Sequence, residues 1–273
     1  MIKGIASNLP ALNAQRNLQP SRDAQGLALG QLSSGKRLTS AAVDAAASAI
    51  VERFAAQITG SNQAARNLSD GISLAQTAEG ALSSVGDNSQ RIRELAVQAG
   101  NGTLNAQDRA ALQSEADALS QASADTLSSA NFNGQALFQG NTLRFQAGPN
   151  AGNEINLALG DLSSGVVASA AGRVDLSSPA KAQQALGRID ADIGTLSQQR
   201  ATLGAVSSRF GASIDALRNS SENLSAAKSR IGDTDYAKTS ADLAAANIRT
   251  QAGIAMQAQA NAQPRAVLSL LRS

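Results

Sequence analysis

The chain has 273 residues, 56 of them Ala, with 2% aromatics, no Trp, no Cys, no His and a formal net charge of +2. That composition excludes disulfide frameworks, thiol nucleophiles, Ser-His-Asp triads and His-ligated zinc. With no Lys/Arg run longer than Lys36-Arg37 and no stacking aromatics, it also argues against nucleic-acid binding.

The large apolar residues are too few and too evenly spread for a thick core, so helices in close approach through small side chains are expected. Proline stands only at positions 10, 20, 149, 179 and 264, which leaves 21–148 and 180–263 free for long helices. No window of about 18 apolar residues exists, so no membrane span is expected. The opening residues lack the apolar stretch of a cleaved secretory signal.

In chain order, residues 1–38 carry Ile5, Leu9, Leu12, Leu18, Leu29 and Leu32 among polar and small residues, and Ser33-Ser34-Gly35 closes the segment. A long helix reads from about 42 to 100. Val43, Ala47, Ile50, Phe54, Ala64, Leu68, Ala75, Ala78, Leu82, Val85, Ile92, Ala96 and Ala99 share a stripe that Gln57, Ser61, Gly71 and Ser89 interrupt. Asn101-Gly102 stops this helix, and Asn105 with Asp108 resembles a capping box that starts another, faced by Leu112, Ala116, Leu119, Ser123 and Leu127.

The stretch 131–175 changes character. Asn131-Phe-Asn-Gly134 and Gly148-Pro-Asn-Ala-Gly152 are turn clusters, while Leu143/Phe145 and Ile155/Leu157/Leu159 alternate with polar residues as half-buried strands do. A short β-hairpin region is expected here. Ser178-Pro179 then caps a helix. Its seam steps by three and four through Leu186, Ile189, Ile193, Leu196, Arg200, Leu203, Ser207, Phe210, Ile214, Leu217, Ser221, Leu224, Lys228 and Ile231. Arg200 and Lys228 on that seam either specify register or mark a wet stretch. Residues 240–273 are poor in large side chains until Val267-Leu-Ser-Leu-Leu271. Neither end can order itself alone, and their matched lengths suggest that they pair with each other.

The expected fold is therefore mainly α: a long antiparallel coiled-coil rod with a short β-hairpin region and paired terminal helices. The core is assigned to Phe54, Leu68, Leu82, Ile189, Ile193, Leu196, Leu203, Phe210, Ile214, Leu217 and Leu224. Terminal or inter-subunit packing is assigned to Ile5, Leu9, Leu12, Leu18, Leu32, Val267, Leu268, Leu270 and Leu271. A rod with one unsatisfied end invites head-to-tail association into a helical filament. Asp233 and Asp235 read as turn-forming carboxylates rather than a metal site. No catalytic residue, cofactor or metal is expected.

Several blocks resemble the bacterial flagellins. They are Asn8-Leu-Pro-Ala-Leu12-Asn-Ala-Gln15-Arg-Asn17-Leu18, Leu32-Ser-Ser-Gly35-Lys-Arg37-Leu-Thr-Ser40-Ala41, Ala49-Ile50-Val-Glu-Arg53-Phe54, Gln90-Arg-Ile-Arg-Glu-Leu-Ala-Val-Gln98 and Asn131-Phe-Asn-Gly134. Arg230-Ile-Gly-Asp233-Thr-Asp235-Tyr-Ala237 and Gln259-Ala-Asn261-Ala-Gln-Pro264-Arg-Ala-Val-Leu-Ser-Leu-Leu-Arg272 continue the match. The chain departs from the family pattern at Pro20, at Gln25 (where an apolar residue is usual), at Ala42-Val43 and at Ala47.

The resemblance implies a subunit that polymerises into the flagellar filament for swimming, without enzymatic activity. It implies an inner domain from 1–41 and 235–273 and an outer one from 42–177 and 178–234, with a short variable segment at about 139–177. It implies itself as partner, together with hook-associated and cap proteins and an export chaperone on the C-terminal segment. It further implies secretion to the flagellum by type III export without signal cleavage. An innate-immune Toll-like receptor surface would involve Arg91, Leu95 and Glu115; salt links between helices and a core place for Leu95 are the structural alternative. A hook–filament junction protein and a surface polysaccharide-binding homologue are the alternative functions.

Overall fold

The computed structural model describes residues 8–162 and 174–271, with side chains up to 263. Ile5, Val267, Leu268, Leu270 and Leu271 as side chains lie outside the described residues. In chain order the elements are helices α1 (Leu9–Ser34), α2 (Ala45–Ala99) and α3 (Ala106–Ser129), strands β1 (Asn131–Phe132), β2 (Gln135–Ala136), β3 (Thr142–Gln146) and β4 (Glu154–Ala158), then α4 (Pro179–Gly232) and α5 (Tyr236–Leu271). They fall into two compact units, 1–56 with 223–273 and 57–222.

The second unit is built on the alternation read from sequence. Ser178 caps α4, its Oγ accepting the Lys181 N–H at 3.4 Å. Within 57–222, α4 runs antiparallel to α2. Arg93 Nε donates to Asp190 Oδ1 at 2.6 Å, Arg200 Nε to Glu79 Oε1 at 2.7 Å, and Ser221 Oγ to Asn62 Oδ1 at 3.4 Å. Every seam position from Leu186 to Ser221 is buried or half-buried except Arg200. Its guanidinium turns out to Glu79, so the seam reading of Arg200 resolves as an interhelical ion pair at the groove edge.

On α2 three of the four residues read as interruptions are core, and Gln57 is half-buried. Ser61, Gly71 and Ser89 are buried, and Ser89 Oγ returns its proton to the Val85 carbonyl at 2.8 Å. Small size is what the packing requires at Gly71. A Cβ there would meet Phe210 Cε2 at 2.8 Å and Phe145 Cε1 at 3.1 Å. Those two rings stack edge to face, their centroids 5.2 Å apart. Gly60 is likewise covered by Pro149, whose Cβ would lie 2.8 Å from an added Cβ.

α3 returns antiparallel along α2. The capping box is present: Asn105 Oδ1 accepts the Gln107 and Asp108 N–H groups, each at 2.8 Å, and Asp108 Oδ2 accepts the Asn105 N–H at 3.2 Å. Arg109 fills the corner before it. Its guanidinium donates to the carbonyls of Ala99 (3.2 Å), Leu104 (2.7 Å) and Asn101 (2.9 Å), so a nearly buried cation answers the last carbonyl of α2 and two carbonyls of the link that follows.

The expected hairpin region holds two hairpins. β1 and β2 pair around Asn133 (φ 50°) and Gly134 (φ 79°), the left-handed pair that a tight primed turn demands. β3 and β4 pair antiparallel with Leu143 opposite Leu157 and Phe145 opposite Ile155, and the 148–152 cluster is their connection. The hairpins and helices close three apolar clusters. Leu82, Phe138, Leu157, Leu196 and Leu203 centre the first, Ile92, Leu95 and Ile189 the second, and Leu68, Ile155, Phe210 and Ile214 the third.

Of the residues assigned to the core, Leu68, Leu82, Ile189, Leu196, Leu203, Phe210 and Ile214 are buried. Ile193 and Leu217 are half-buried flanks of their clusters. Phe54 and Leu224 correct the assignment more fully. Both are half-buried as well, but they lie in the first unit and outside the apolar clusters.

Candidate assembly site

The first unit is a pair of helices with almost no large residues between them. Asn8 caps α1, its Oδ1 accepting the Ala11 N–H at 3.2 Å, and Pro10 stands in the first turn, where its missing donor costs nothing. Pro20 sits on an exposed position and α1 continues through it. Gly35, at φ 69°, ends the helix in the left-handed cap that glycine alone takes cheaply.

On α1 the covered positions recur at Ala11, Ala14, Leu18, Ser21, Gln25, Ala28 and Leu32. On α5 they recur at Thr239, Leu243, Ala246, Thr250, Gly253, Gln257 and Ala260. Both sets step by three and four, so the terminal helices meet along a coiled-coil seam of mostly small residues. Contacts fix their antiparallel sense. Asn8 Nδ2 donates to the Ala260 carbonyl at 2.9 Å, Leu18 packs where a Cβ on Gly253 would stand 2.9 Å from its Cδ1, and Gln25 Nε2 donates to Asn247 Oδ1 at 2.7 Å.

The two connecting links are stitched together. The Arg37 N–H donates to the Gly232 carbonyl at 2.8 Å, and its Nε and Nη2 reach the Ile231 carbonyl at 3.0 and 2.8 Å. The Thr234 N–H donates to the Gly35 carbonyl at 3.0 Å, and Lys36 bridges Asp233 in antiparallel fashion. Gln31 Nε2 holds the Arg37 carbonyl at 2.8 Å, so one residue ties α1 to the end of α4. Asp44 starts α2, accepting the Ala47 N–H at 3.0 Å. Asp233 accepts the Ser229 hydroxyl at 2.6 Å and Asp235 the Lys238 N–H at 3.1 Å, which bears out their reading as turn and cap residues. Tyr236, the single Tyr of the chain, begins α5 with its hydroxyl 3.1 Å from where a Cβ on Gly35 would lie.

The outward faces are the chemically unusual feature. Leu9 (64% exposed), Leu12 (46%), Leu27, Leu29, Val43, Ile50, Tyr236, Ile248 (67%), Ile254 and Met256 (64%) are all in this unit. Among the described residues, Val97 is the one large apolar side chain left comparably exposed in 57–222. Charges on α1 are Arg16, Arg22 and Asp23 only. Such a surface is what a monomer avoids and an assembling subunit presents.

Of the sequence-assigned terminal residues, Leu18 and Leu32 lie on the intramolecular seam. Leu9 and Leu12 stand outward, on the side left for inter-subunit packing, while the covered face beside them is spelled by Ala11 and Ala14. This Ala/Ser/Gly/Thr seam is the element that sequence reading missed. Its signal, small residues at heptad spacing, was present.

In the other unit, Arg91 donates to Glu115 Oε1 from Nε (3.1 Å) and Nη2 (2.9 Å), and to Glu94 Oε2 from Nη1 (2.8 Å). Glu94 first and Glu115 second raise its pKa above the ordinary value. Leu95 is 1% exposed inside the second cluster. It is therefore a core residue and does not stand on a surface with Arg91 and Glu115, because its side chain is closed in by residues of α3 and α4 while theirs pair in the open between α2 and α3.

The fold defines a mainly helical structural subunit whose terminal helix pair carries exposed apolar side chains. Comparison with known proteins gives the family. The bacterial flagellin N-terminal helical region matches residues 5–142, and the bacterial flagellin C-terminal helical region matches 186–271. The chain is 44% identical over 270 residues to a flagellin of Halalkalibacterium halodurans, covering 98% of this chain and 99% of that one. It is 39% identical over 302 residues to a flagellin of Bacillus subtilis, at 98% and 99% coverage. The crystal structure of Bacillus cereus flagellin aligns with a TM-score of 0.51 at 28% identity, over 56% of this chain and 88% of that one. The chain belongs to the bacterial flagellins, the structural subunits of the flagellar filament. No described helix is long and apolar enough to cross a membrane.

Proposed function

We propose that the chain polymerises into the filament by burying the outward faces of α1 and α5 against other copies of itself. The carrying observation is the concentration of exposed large apolar residues in that unit, Leu9, Leu12, Ile248 and Met256 foremost, with Val97 the single comparable side chain among the described residues of 57–222. Head-to-tail contacts that do not close give a helical polymer. In this reading 1–41 and 235–273 form the inner domain and 42–234 the outer one. Ile5, Val267, Leu268, Leu270 and Leu271 extend the same inter-subunit packing.

A helix pair with so little covered surface has a small folding free energy of its own. It orders fully when neighbours cover it, which delays assembly to the growing tip. Before that step the same C-terminal segment serves an export chaperone, and the chain leaves by the flagellar type III route without signal cleavage. Hook-associated and cap proteins meet the polymer at its ends. An innate-receptor surface, if one is present, centres on Arg91 and Glu115 without Leu95.

The test is negative-stain microscopy of the seeded full chain beside a version lacking 1–38 and 240–273. Long filaments from the first and none from the second are expected. A full chain that stays monomeric on seeds overturns the reading.

A further inference from the structure

We infer that the Gln25–Asn247 hydrogen bond is the register lock of the terminal helix pair. The Gly35–Thr234 and Lys36–Asp233 joint ties the pair at one end, but the seam beyond it gives little other information about register. Most of its positions are Ala, Ser, Gly or Thr, so sliding α1 along α5 by one heptad (about 10 Å at 1.5 Å per residue) replaces one small contact by another. The Asn8 contacts discriminate weakly: one acceptor is the Ala260 backbone carbonyl, whose equivalents recur at every residue, and the other, Asn261 Oδ1, is at 3.4 Å and exposed to solvent. The Leu18–Gly253 contact discriminates weakly. A Cβ at that place would press on Leu18 Cδ1, the movable end of a flexible side chain.

The amide pair differs in kind. Gln25 and Asn247 are half-buried, and the 2.7 Å bond joins side chain to side chain across the seam. A heptad slip sets Gln25 abreast of Ile254 in one direction, where no acceptor exists. In the other it meets Ser240, whose short, exposed hydroxyl does not replace the amide. Either slip strands two polar side chains in the seam, each at the cost of an unpaired group. A single polar pair in an otherwise apolar coiled coil specifies register at the expense of stability. Register decides which of Leu27, Leu29 and Ile248 lie side by side on the outer face. That consequence alone rests on the assembly reading.

The experiment uses the full-length chain, whose lack of cysteine allows labels to be placed at will. Nitroxides on Gln19→Cys and Gln251→Cys report the α1–α5 register by pulsed dipolar spectroscopy of the monomer. One narrow distance is expected with Gln25 and Asn247 intact. The double variant Gln25→Leu/Asn247→Leu should add a second population displaced by about a heptad, with thermal stability unchanged or higher. The exchange Gln25→Asn/Asn247→Gln should restore a single distance. A single, unchanged distance in the double leucine variant overturns the proposal, as does a broad distribution in the starting chain. Lost stability with one distance retained makes the bond a plain stabiliser and also overturns it. Filaments counted separately by microscopy keep failure of the assembly reading distinct from failure of the lock.

Discussion

Replacing Arg109 tests whether one buried cation holds the corner between α2 and α3. The side chain is 9% exposed, and among the described residues its partners are three backbone carbonyls, those of Ala99, Asn101 and Leu104. Hydrogen bonds from a charged donor contribute about 1.5–3 kcal/mol each when isolated. Three bonds from one group are not additive, and water replaces part of what is lost at an exposed corner. The C-terminal dipole of α2 adds roughly 0.3–1 kcal/mol. Arg109→Ala should therefore cost about 3 kcal/mol, which for a cooperative unit of this size lowers Tm by roughly 6–12 °C. Arg109→Lys should recover about a third, since a point charge cannot span three carbonyls. Arg109→Met keeps the packing of the stem and separates it from the charge. The assay is thermal and urea unfolding followed by circular dichroism, with Arg66→Ala as control, because Arg66 bonds only to Gln63 on its own helix. A loss below about 1 kcal/mol for Arg109→Ala would refute the argument that the carbonyls depend on this guanidinium.

Gly71→Ala should cost about 1–3 kcal/mol by overpacking, since the new Cβ meets the Phe210 and Phe145 rings; Phe210→Leu in the same chain should recover part of the loss in urea unfolding. Asp175 is held below the usual carboxylate range, first by Lys181 Nζ at 2.7 Å and then by the Ser177 hydroxyl at 2.6 Å. A depressed folded-state pKa gives stability that is present above the unfolded value near ~3.9 and is lost as pH falls towards the folded one. The stability gap between wild type and Asp175→Asn should accordingly shrink between about pH 4 and pH 2, and a constant gap would contradict it. Arg37→Ala should speed hydrogen exchange at the Thr234 amide about tenfold or more, a loss of about 1.4 kcal/mol in local opening, while amides in 57–222 keep their protection.

The long helix α4 was legible because its seam is written in Leu, Ile and Phe. Those residues are apolar wherever they stand, and the three-four spacing then carries through Leu196, Leu203 and Phe210 without ambiguity. The hairpin β3–β4 was legible for the parallel reason, alternation between Ile155, Leu157 and their polar neighbours. The terminal seam was hidden by the reverse relation of size to burial. Ala11, Ala28, Ala246 and Gly253 are covered because they are small, and Leu9, Leu12 and Ile248 are exposed although they are large. A scale that equates hydrophobic size with core reads such a segment inside out. Leu95 shows the limit of carrying a role across from a family. Its place in a motif says nothing of its exposure, which packing against Ile92 and Ile189 decides.

The single tyrosine at the joint between α4 and α5 has a spectroscopic consequence. The chain contains no Trp, so tyrosine emission has no indole acceptor to drain it. All of that signal originates at Tyr236, which is 57% exposed beside Gly35. Its intensity and anisotropy therefore form a label-free optical probe of the stitched joint. Capture of free chains at a growing end can be timed in the unmodified protein, with the ordering of the joint resolved from the gain in polymer mass that light scattering records.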